Sequence, residues 1–426
     1  TINILQIKMK KKLSILGVGY VGLPLAIEFS KFYNVVGYDQ NKYKIDNLQL
    51  GIDSNQQYKR DKILNSKIKF TTDLKDLMDS TFFIVCVPTP INHKKLPNLN
   101  YLRKACISIG KILKKNNTII FESTVYPGCT EEFCLPLIER YSKLKTNKDF
   151  LCGYSPERIN PGDKENRLNN IVKIISSSST KGLKTVKNLY QKIIKAGLHE
   201  AKSIKIAEAS KILENIQRSV NISLINEASL IFRKLKINTH DVLEAASTKW
   251  NFIKFKPGLV GGHCIAVDPY YLTYKAKQIG INPKLILSGQ SINNHIPIHI
   301  ANRVAKKINL NKKNPKKILI LGLTFKEDCS DLRDSKVFDI INHIKKKGGK
   351  CDVFDPWINK NELEKINLDI IKKIDKKKKY DAIILAVSHS IFKKIGFKKF
   401  NAAMKKDGFF YDVKSLFVNE KNVECL

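Results

Sequence analysis

Apolar residues in this chain come in short blocks, separated by glycine turns and by stretches with helical spacing. Leu13 to Leu16 reads as a strand, Gly17-Val18-Gly19-Tyr20-Val21-Gly22 as a turn, Leu23 to Phe32 as a helix, and Val35 to Tyr38 as a second strand ending at Asp39. The blocks Phe82 to Val87 and Thr118 to Phe121 run into Pro88-Thr89-Pro90 and Glu122-Ser123-Thr124. Strands alternating with helices predict a parallel, doubly wound sheet. Ligands on such sheets bind beyond the carboxyl ends of the strands, where all three turns lie. From Ile204 to Lys236 apolar positions recur at helical spacing, among them Ile206, Ile212, Ile216, Val220, Leu224 and Ile231, with no proline or glycine between them. A helix of about 30 residues spans ~45 Å, more than one domain needs, so it is expected to bridge two domains and to supply a subunit interface. A second α/β unit starts at Lys317 and continues through Val353-Phe354-Asp355-Pro356, Ala382 to Val387 and Phe409 to Val413. Its first turn, Gly322-Leu323-Thr324-Phe325-Lys326, lacks the three glycines and reads as a nucleotide site with a lysine at the phosphates.

Length and composition narrow the class. A chain of 426 residues exceeds one core, and 43% hydrophobic residues suffice for two or three. No apolar run reaches the ~18 residues of a membrane span, and no signal-peptide pattern is present, so a cytoplasmic protein is expected. Residues 1 to 8 precede Met9 and read as an extension that adds nothing to the fold. Nine cysteines without a CxxC pair argue against a disulfide framework or a zinc ribbon, and no metal site is predicted. The net charge is +37, yet only nine of the 76 basic residues are arginine and the lysines run from end to end. That pattern, without a zinc finger, an RNP-like motif or a basic heptad helix, excludes nucleic acid as the primary ligand. An anionic small substrate still gains from the field.

The glycine turn sits in its full context: it follows a strand, opens a helix, and is followed by a strand ending in an acid. Gly17 makes the tight turn, Gly19 lets the pyrophosphate approach, Gly22 packs the helix, and Asp39 takes the ribose hydroxyls. Tyr20 and Val21 lie inside that turn. An acid at Asp39 with no arginine beside it favours NAD over NADP, although Lys42 and Lys44 are close in sequence. The segment Gly261-Gly262-His263-Cys264-Ile265-Ala266-Val267-Asp268 puts a cysteine one helical turn before a carboxylate, on one face if a helix starts there. Lys211, Asn215 and Arg218 share a face of the bridging helix. They are either a solvated stripe or, beside a cysteine nucleophile, the cation and amide that a thiohemiacetal oxyanion requires. Glu157, before Arg158, is a surface acid by default. Thr124 either caps the following helix or faces a ligand.

In order, these motifs resemble the nucleotide-sugar 6-dehydrogenases, the UDP-glucose/UDP-N-acetylhexosamine dehydrogenase family, from about Lys12 to Phe417. The resemblance implies two Rossmann-like doubly wound parallel-sheet domains joined by a long central helix and a helical dimerisation region. The expected division is an NAD domain over 9–200, a central region with the cysteine loop over 201–305, and a UDP-sugar domain over 306–426, in a homodimer with the active site between the α/β domains. It implies NAD-dependent, four-electron oxidation of a sugar 6-hydroxyl, with Cys264 forming a thiohemiacetal and then a thioester. Asp268, with a water held by Thr124, is the candidate base. Lys211 and Asn215 stabilise oxyanions, and Glu157 activates the hydrolytic water. Lys326 contacts the UDP-sugar, Phe255, Gly258 and Gly261 belong to the loop around it, and Arg158 and Arg218 are further substrate candidates. Arg333 and Lys44 are candidates for the cofactor, with Thr89, Glu122 and Thr124 on the nicotinamide side.

Pro161, where UDP-glucose enzymes carry a second glutamate, resembles the branch acting on UDP-N-acetylhexosamines for surface polysaccharides, and UDP-N-acetylglucosamine is the favoured sugar. UDP-glucose and UDP-N-acetylmannosamine are the alternatives. Gln290, Ser291 and Asn293-Asn294 depart from the family pattern, so a substrate or interface contact there is expected to differ. Two other classes compete. A two-electron hydroxyacid dehydrogenase needs neither Cys264 nor the second domain, and a non-catalytic nucleotide-binding scaffold predicts damage in the reactive set.

Overall fold

The computed structural model describes residues 11–158, 168–358, 363, 366–375 and 377–426. Residues 1 to 8, and the Ile159 to Gly162 part of the proline-glutamate motif with Pro161, lie outside the described residues. The chain forms two compact units, one of residues 1–214 with 270–279, the other of 215–269 with 280–426.

The first unit is built on an eight-stranded sheet of β1 (Lys12–Leu16), β2 (Asn34–Tyr38), β3 (Lys69–Thr71), β4 (Phe82–Val85), β5 (Thr118–Phe121), β6 (Leu151–Tyr154), β7 (Lys173–Ser177) and β8 (Leu198–Glu200). The strand order is β3-β2-β1-β4-β5-β6-β7-β8. Every pairing is parallel except β6 with β7, which run antiparallel. The chain order reverses at β1 and β4, so the crevice beyond Leu16 and Val85 is a topological switch point. Strands β4, β5 and β6 are buried at all four positions, as continuous apolar strands covered on both faces must be. Sequence expectation overran two ends. The first helix covers Gly22–Phe29 and stops short of Phe32, and β4 stops at Val85 because Pro88 and Pro90 cannot donate to a ladder.

The second unit carries a six-stranded parallel sheet of β9 (Lys317–Leu321), β10 (Lys350–Phe354), β11 (Asp369–Ile370), β12 (Tyr380–Leu385), β13 (Met404–Asp412) and β14 (Val423–Cys425), in the order β11-β10-β9-β12-β13-β14. One face packs on the helices Lys284–Lys307 and Val337–Lys346 through Ile300, Val304, Ile340 and Ile344. The other face is aromatic, built on Phe392, Phe400 and Phe410.

The predicted bridging helix is Ile204–Lys234, 31 residues long, and the division between the units falls inside it, after Glu214. Its Ile212, Ile216 and Ile225 are buried, whereas Ile206, Leu213, Leu224 and Ile231 are exposed. No described helix is long and apolar enough to cross a membrane.

Candidate active site

In the first unit the glycine turn follows β1 as the motif requires. Gly17 has φ +94°, and a Cβ there would stand 2.7 Å from the Cys86 carbonyl oxygen, so only glycine fits. A Cβ on Gly22 would collide with the Gly17 carbonyl, while nothing lies within 4 Å of one placed on Gly19. That open face stands at the amino end of the Gly22–Phe29 helix, the positive end of its dipole, which attracts anions. Val21 occupies the helix N-cap, and the Tyr20 carbonyl accepts from Gln57 at 3.3 Å. Asp39 follows β2 and accepts from the Asn41 N–H at 3.0 Å and from Lys44 Nζ at 2.7 Å. A clear approach at Gly19, the amino end of a helix and a carboxylate one strand away suit the pyrophosphate and ribose of a dinucleotide.

The loops after β4 and β5 meet where Thr89 Oγ1 donates to the Thr124 carbonyl at 2.7 Å. Tyr271 donates to the Thr89 carbonyl at 2.8 Å. Thr124 caps no helix: the helical turn that follows begins at Thr130 with Cys129 at its N-cap and no side-chain cap bond. Instead Glu208, on the long helix, receives the Gly128 and Thr130 N–H groups at 2.5 and 2.9 Å. Burial pushes this carboxyl up to about 7, against the two donors.

Glu122 and Glu157 follow β5 and β6 and converge on Lys173 at the start of β7. Lys173 Nζ lies 2.8 Å from each carboxylate and 3.3 Å from the Pro156 carbonyl, and all three side chains are buried. The Tyr190 hydroxyl donates to the other Glu122 oxygen. Burial raises Glu122 to about 7, with Lys173 and Tyr190 opposing. Burial alone would discharge Lys173, but the two carboxylates outweigh it and hold the ammonium above its ordinary value. Glu157 is therefore not the surface acid of the default expectation. Lys211, also buried, donates to the Glu157 carbonyl, and Arg158 pairs with Glu214.

In the second unit Cys264 is exposed, in a turn after two glycines. No helix starts at the cysteine: the helix is Asp268–Gln278, and the preceding turn is closed by the Val267 and Asp268 N–H groups donating to the Cys264 carbonyl at 3.1 and 2.8 Å. The i to i+4 relation of Cys264 and Asp268 survives as that hydrogen bond. Gly261 leaves room for the Asp334 carbonyl, 2.7 Å from where its Cβ would be, and Gly262 has φ +78°. Asp268 is buried and accepts from the Asn215 amide, whose oxygen accepts from Arg218. Arg218 thus orients the amide so that its NH₂ faces the carboxylate.

The loop bearing Phe255 is tied at Gly258, whose N–H and carbonyl both bond the Asn226 side chain, at 2.8 and 3.1 Å. Asn293 accepts from Asn226 at 2.9 Å and donates to the Ser219 carbonyl at 3.0 Å, and Gln290 donates to Ser219 Oγ at 2.9 Å. Of the departures from the family pattern, Gln290 is thus a buried bracing group, whereas Ser291 is exposed and Asn294 half-buried. Arg333 grips Asp331 through two bonds of 2.9 and 2.7 Å.

The turn carrying Lys326 is held by Asp355 and His389, to which no role attached in the sequence. Asp355 receives the Leu323, Thr324 and Trp357 N–H groups at 2.6, 3.1 and 2.8 Å. His389, fully buried, accepts the Asp328 N–H on Nδ1 at 3.0 Å, which leaves its proton on Nε2, 3.1 Å from Asp355. Burial pushes Asp355 up, but His389 and the backbone donors outweigh it and hold the carboxyl below the usual range. The signal for Asp355 was present, since it follows its strand as Asp39 does. Lys173, Tyr190 and Glu208 gave none beyond a single charge or hydroxyl in an apolar stretch.

A glycine turn on a doubly wound sheet, followed by a braced second α/β domain, defines a dinucleotide-dependent oxidoreductase architecture. The chain belongs to the UDP-glucose/GDP-mannose dehydrogenase family: its NAD binding domain matches residues 11–194, its central domain 205–295 and its UDP binding domain 319–419. NAD is accordingly its cofactor. The chain is 47% identical to the UDP-N-acetyl-D-glucosamine 6-dehydrogenase of Pseudomonas aeruginosa, over 96% of this chain and 98% of that one. It is 44% identical to the enzyme of that name from Salmonella typhi, over 96% and 97%. Among solved structures it is similar to a UDP-N-acetyl-mannosamine dehydrogenase from Staphylococcus aureus, with a TM-score of 0.83 at 31% identity, covering 97% of each chain.

Proposed function

We propose that the chain oxidises the 6-hydroxyl of a UDP-N-acetylhexosamine, UDP-N-acetylglucosamine above others, to the uronic acid through covalent intermediates on Cys264. The observation that carries this reading is the exposed Cys264 thiol in a glycine turn whose next helix begins with Asp268, held by Asn215 and Arg218. The family pattern assigns the remaining roles. Bound NAD supplies the hydride acceptor for each of two oxidations. Asp268 takes the hydroxyl proton in the first, and the resulting aldehyde carbon forms a bond to the Cys264 sulfur. Lys211 and Asn215 stabilise the oxyanion that this addition creates. After the second oxidation leaves a thioester, Glu157 takes a proton from the water that displaces the thiolate. Lys326 and the Phe255 to Gly261 loop hold the UDP-sugar.

Identities of 44 to 47% to the N-acetylglucosamine enzymes, against 28 to 32% to N-acetylmannosamine enzymes, favour the first sugar. The exposed apolar row Leu213, Leu224 and Ile231 on the long helix supports a homodimer. A cytoplasmic role in making precursors of a surface polysaccharide fits a nucleotide-sugar substrate.

Cys264→Ala is expected to lower uronate formation by about 10³-fold or more while NAD binding, followed by fluorescence titration, stays unchanged. Full turnover by this variant would remove the covalent mechanism.

A further inference from the structure

Lys173 is the group on which Glu122 and Glu157, two buried acids of the first unit, converge. It opens β7, the antiparallel neighbour of β6, and its side chain reaches the ends of β5 and β6 where Glu122 and Glu157 stand. An ammonium has three donors. Here they meet Glu122 Oε2 at 2.8 Å, Glu157 Oε2 at 2.8 Å and the Pro156 carbonyl at 3.3 Å. No donor is left for a ligand, so Lys173 acts through the carboxylates and not on substrate.

We infer that Lys173 is a positioning residue for the hydrolytic half of the reaction, holding the Glu157 carboxylate in place while water attacks the thioester. This rests on the function proposed above. In that step the water oxygen bonds to the carbonyl carbon, the C–S bond breaks, Cys264 leaves as thiolate, and the water proton passes to Glu157. No oxidant enters. Glu157 is held at both oxygens, Oε2 by Lys173 and Oε1 by the Arg158 N–H at 2.5 Å, and each oxygen keeps a further lone pair for a water proton. The second acid completes the device. Glu122 also accepts from the Tyr190 hydroxyl, and burial brings it up to about 7. When Glu122 takes a proton, the Lys173 charge faces Glu157 alone. The other ionisable groups around the cluster are Cys86, whose thiol burial drives well up, and Lys211, which donates to the Glu157 carbonyl. Neither competes for the Glu157 carboxylate oxygens.

The inference separates hydrolysis from oxidation, and the experiment reads both. Wild-type protein and Lys173→Met are mixed with NAD and UDP-N-acetylglucosamine. NADH is followed through the first turnover, and acid-quenched protein is weighed by mass spectrometry. In Lys173→Met the early NADH burst should persist while steady turnover falls about 100-fold, with a sugar adduct accumulating on Cys264. Loss of a buried cation threatens folding, so Lys173→Arg is measured alongside. Its larger planar head should displace Glu157, slow turnover about tenfold, and also leave a detectable adduct. Wild-type turnover with no adduct in either folded variant overturns the inference, as does slow turnover in which the burst is lost and no adduct forms. A wild-type protein silent with this sugar overturns the proposed function instead.

Discussion

The two α/β units start from the same turn and end with opposite uses of it. Gly17 and Gly322 both have positive φ, +94° and +85°, and both press against the end of the neighbouring strand, at Cys86 and at Val387. Both N–H groups bond the last residue of the adjacent strand, Tyr38 and Phe354, at 2.8 and 2.9 Å. An aspartate follows each of those strands. Beyond this point the units part. In the first, the helix begins at Gly22, Gly19 has open space beside it, and the Asp39 carboxylate accepts from Asn41 and Lys44, close by in sequence. In the second, the helix waits until Val337, and Asp355 turns inward to receive Leu323, Thr324 and His389. An aspartate at the same topological position keeps short-range partners where the turn is open and is an internal brace where the turn carries side chains. The brace holds a turn that presents Lys326, and the open turn exposes backbone.

The comparison breaks most readily at Asp355. Asp355→Ala leaves three N–H groups and His389 without their acceptor, and should cost about 4 kcal/mol of stability in urea unfolding, at roughly 1 kcal/mol per donor. NAD affinity of the remaining folded protein should be unchanged. A smaller loss with intact UDP-sugar affinity would show that the turn holds its shape without the brace.

Glu208 sharpens the contrast through pH. Two backbone donors do not offset its burial, and its carboxyl stands at about 7, above the ordinary 4.5. A raised acid contributes stability that is full below about 4.5 and is lost as pH rises through about 7. Asp355, with more donors, is depressed below 3.8, so its contribution is present above that value and lost on acidification. Glu208→Gln should therefore remove a fall in stability of roughly 3 kcal/mol between those limits, seen as a flatter dependence of Tm on pH. An unchanged profile would place the titration elsewhere. The smallest effect is expected at Asp39: Asp39→Ala should raise the Kd for NAD about tenfold, the worth of one good charged hydrogen bond, and leave UDP-sugar binding alone. No change would reduce the Asp39 and Lys44 pair to an ordinary surface ion pair.

Periodicity and glycine placement made both sheets and the long helix legible. The Gly17 to Gly22 turn is a local signal, and the helix Ile204–Lys234 announces itself by spacing alone. The glycine turn could be read because its residues are contiguous in sequence. The braces could not, because their partners lie far apart in sequence: Glu208 and Gly128 are 80 residues apart, Glu122 and Lys173 51, Asp355 and His389 34. A lysine at the start of an apolar strand, in a chain with lysines throughout, carries no sign that it is buried between two acids. Thr124 and Cys264 show the converse case. A helix was one of the open readings at each, but Glu208 receives the N–H groups near the first, and the turn at the second closes before its helix begins.

The central claim is four-electron oxidation of a UDP-N-acetylhexosamine. Counting NADH formed per sugar consumed, with UDP-N-acetylglucosamine, UDP-N-acetylgalactosamine, UDP-N-acetylmannosamine and UDP-glucose offered in turn, tests it most directly. The account predicts two NADH per UDP-N-acetylglucosamine and slower turnover of the others. One NADH per sugar, a preference for UDP-glucose, or no NADH with any of them would contradict it.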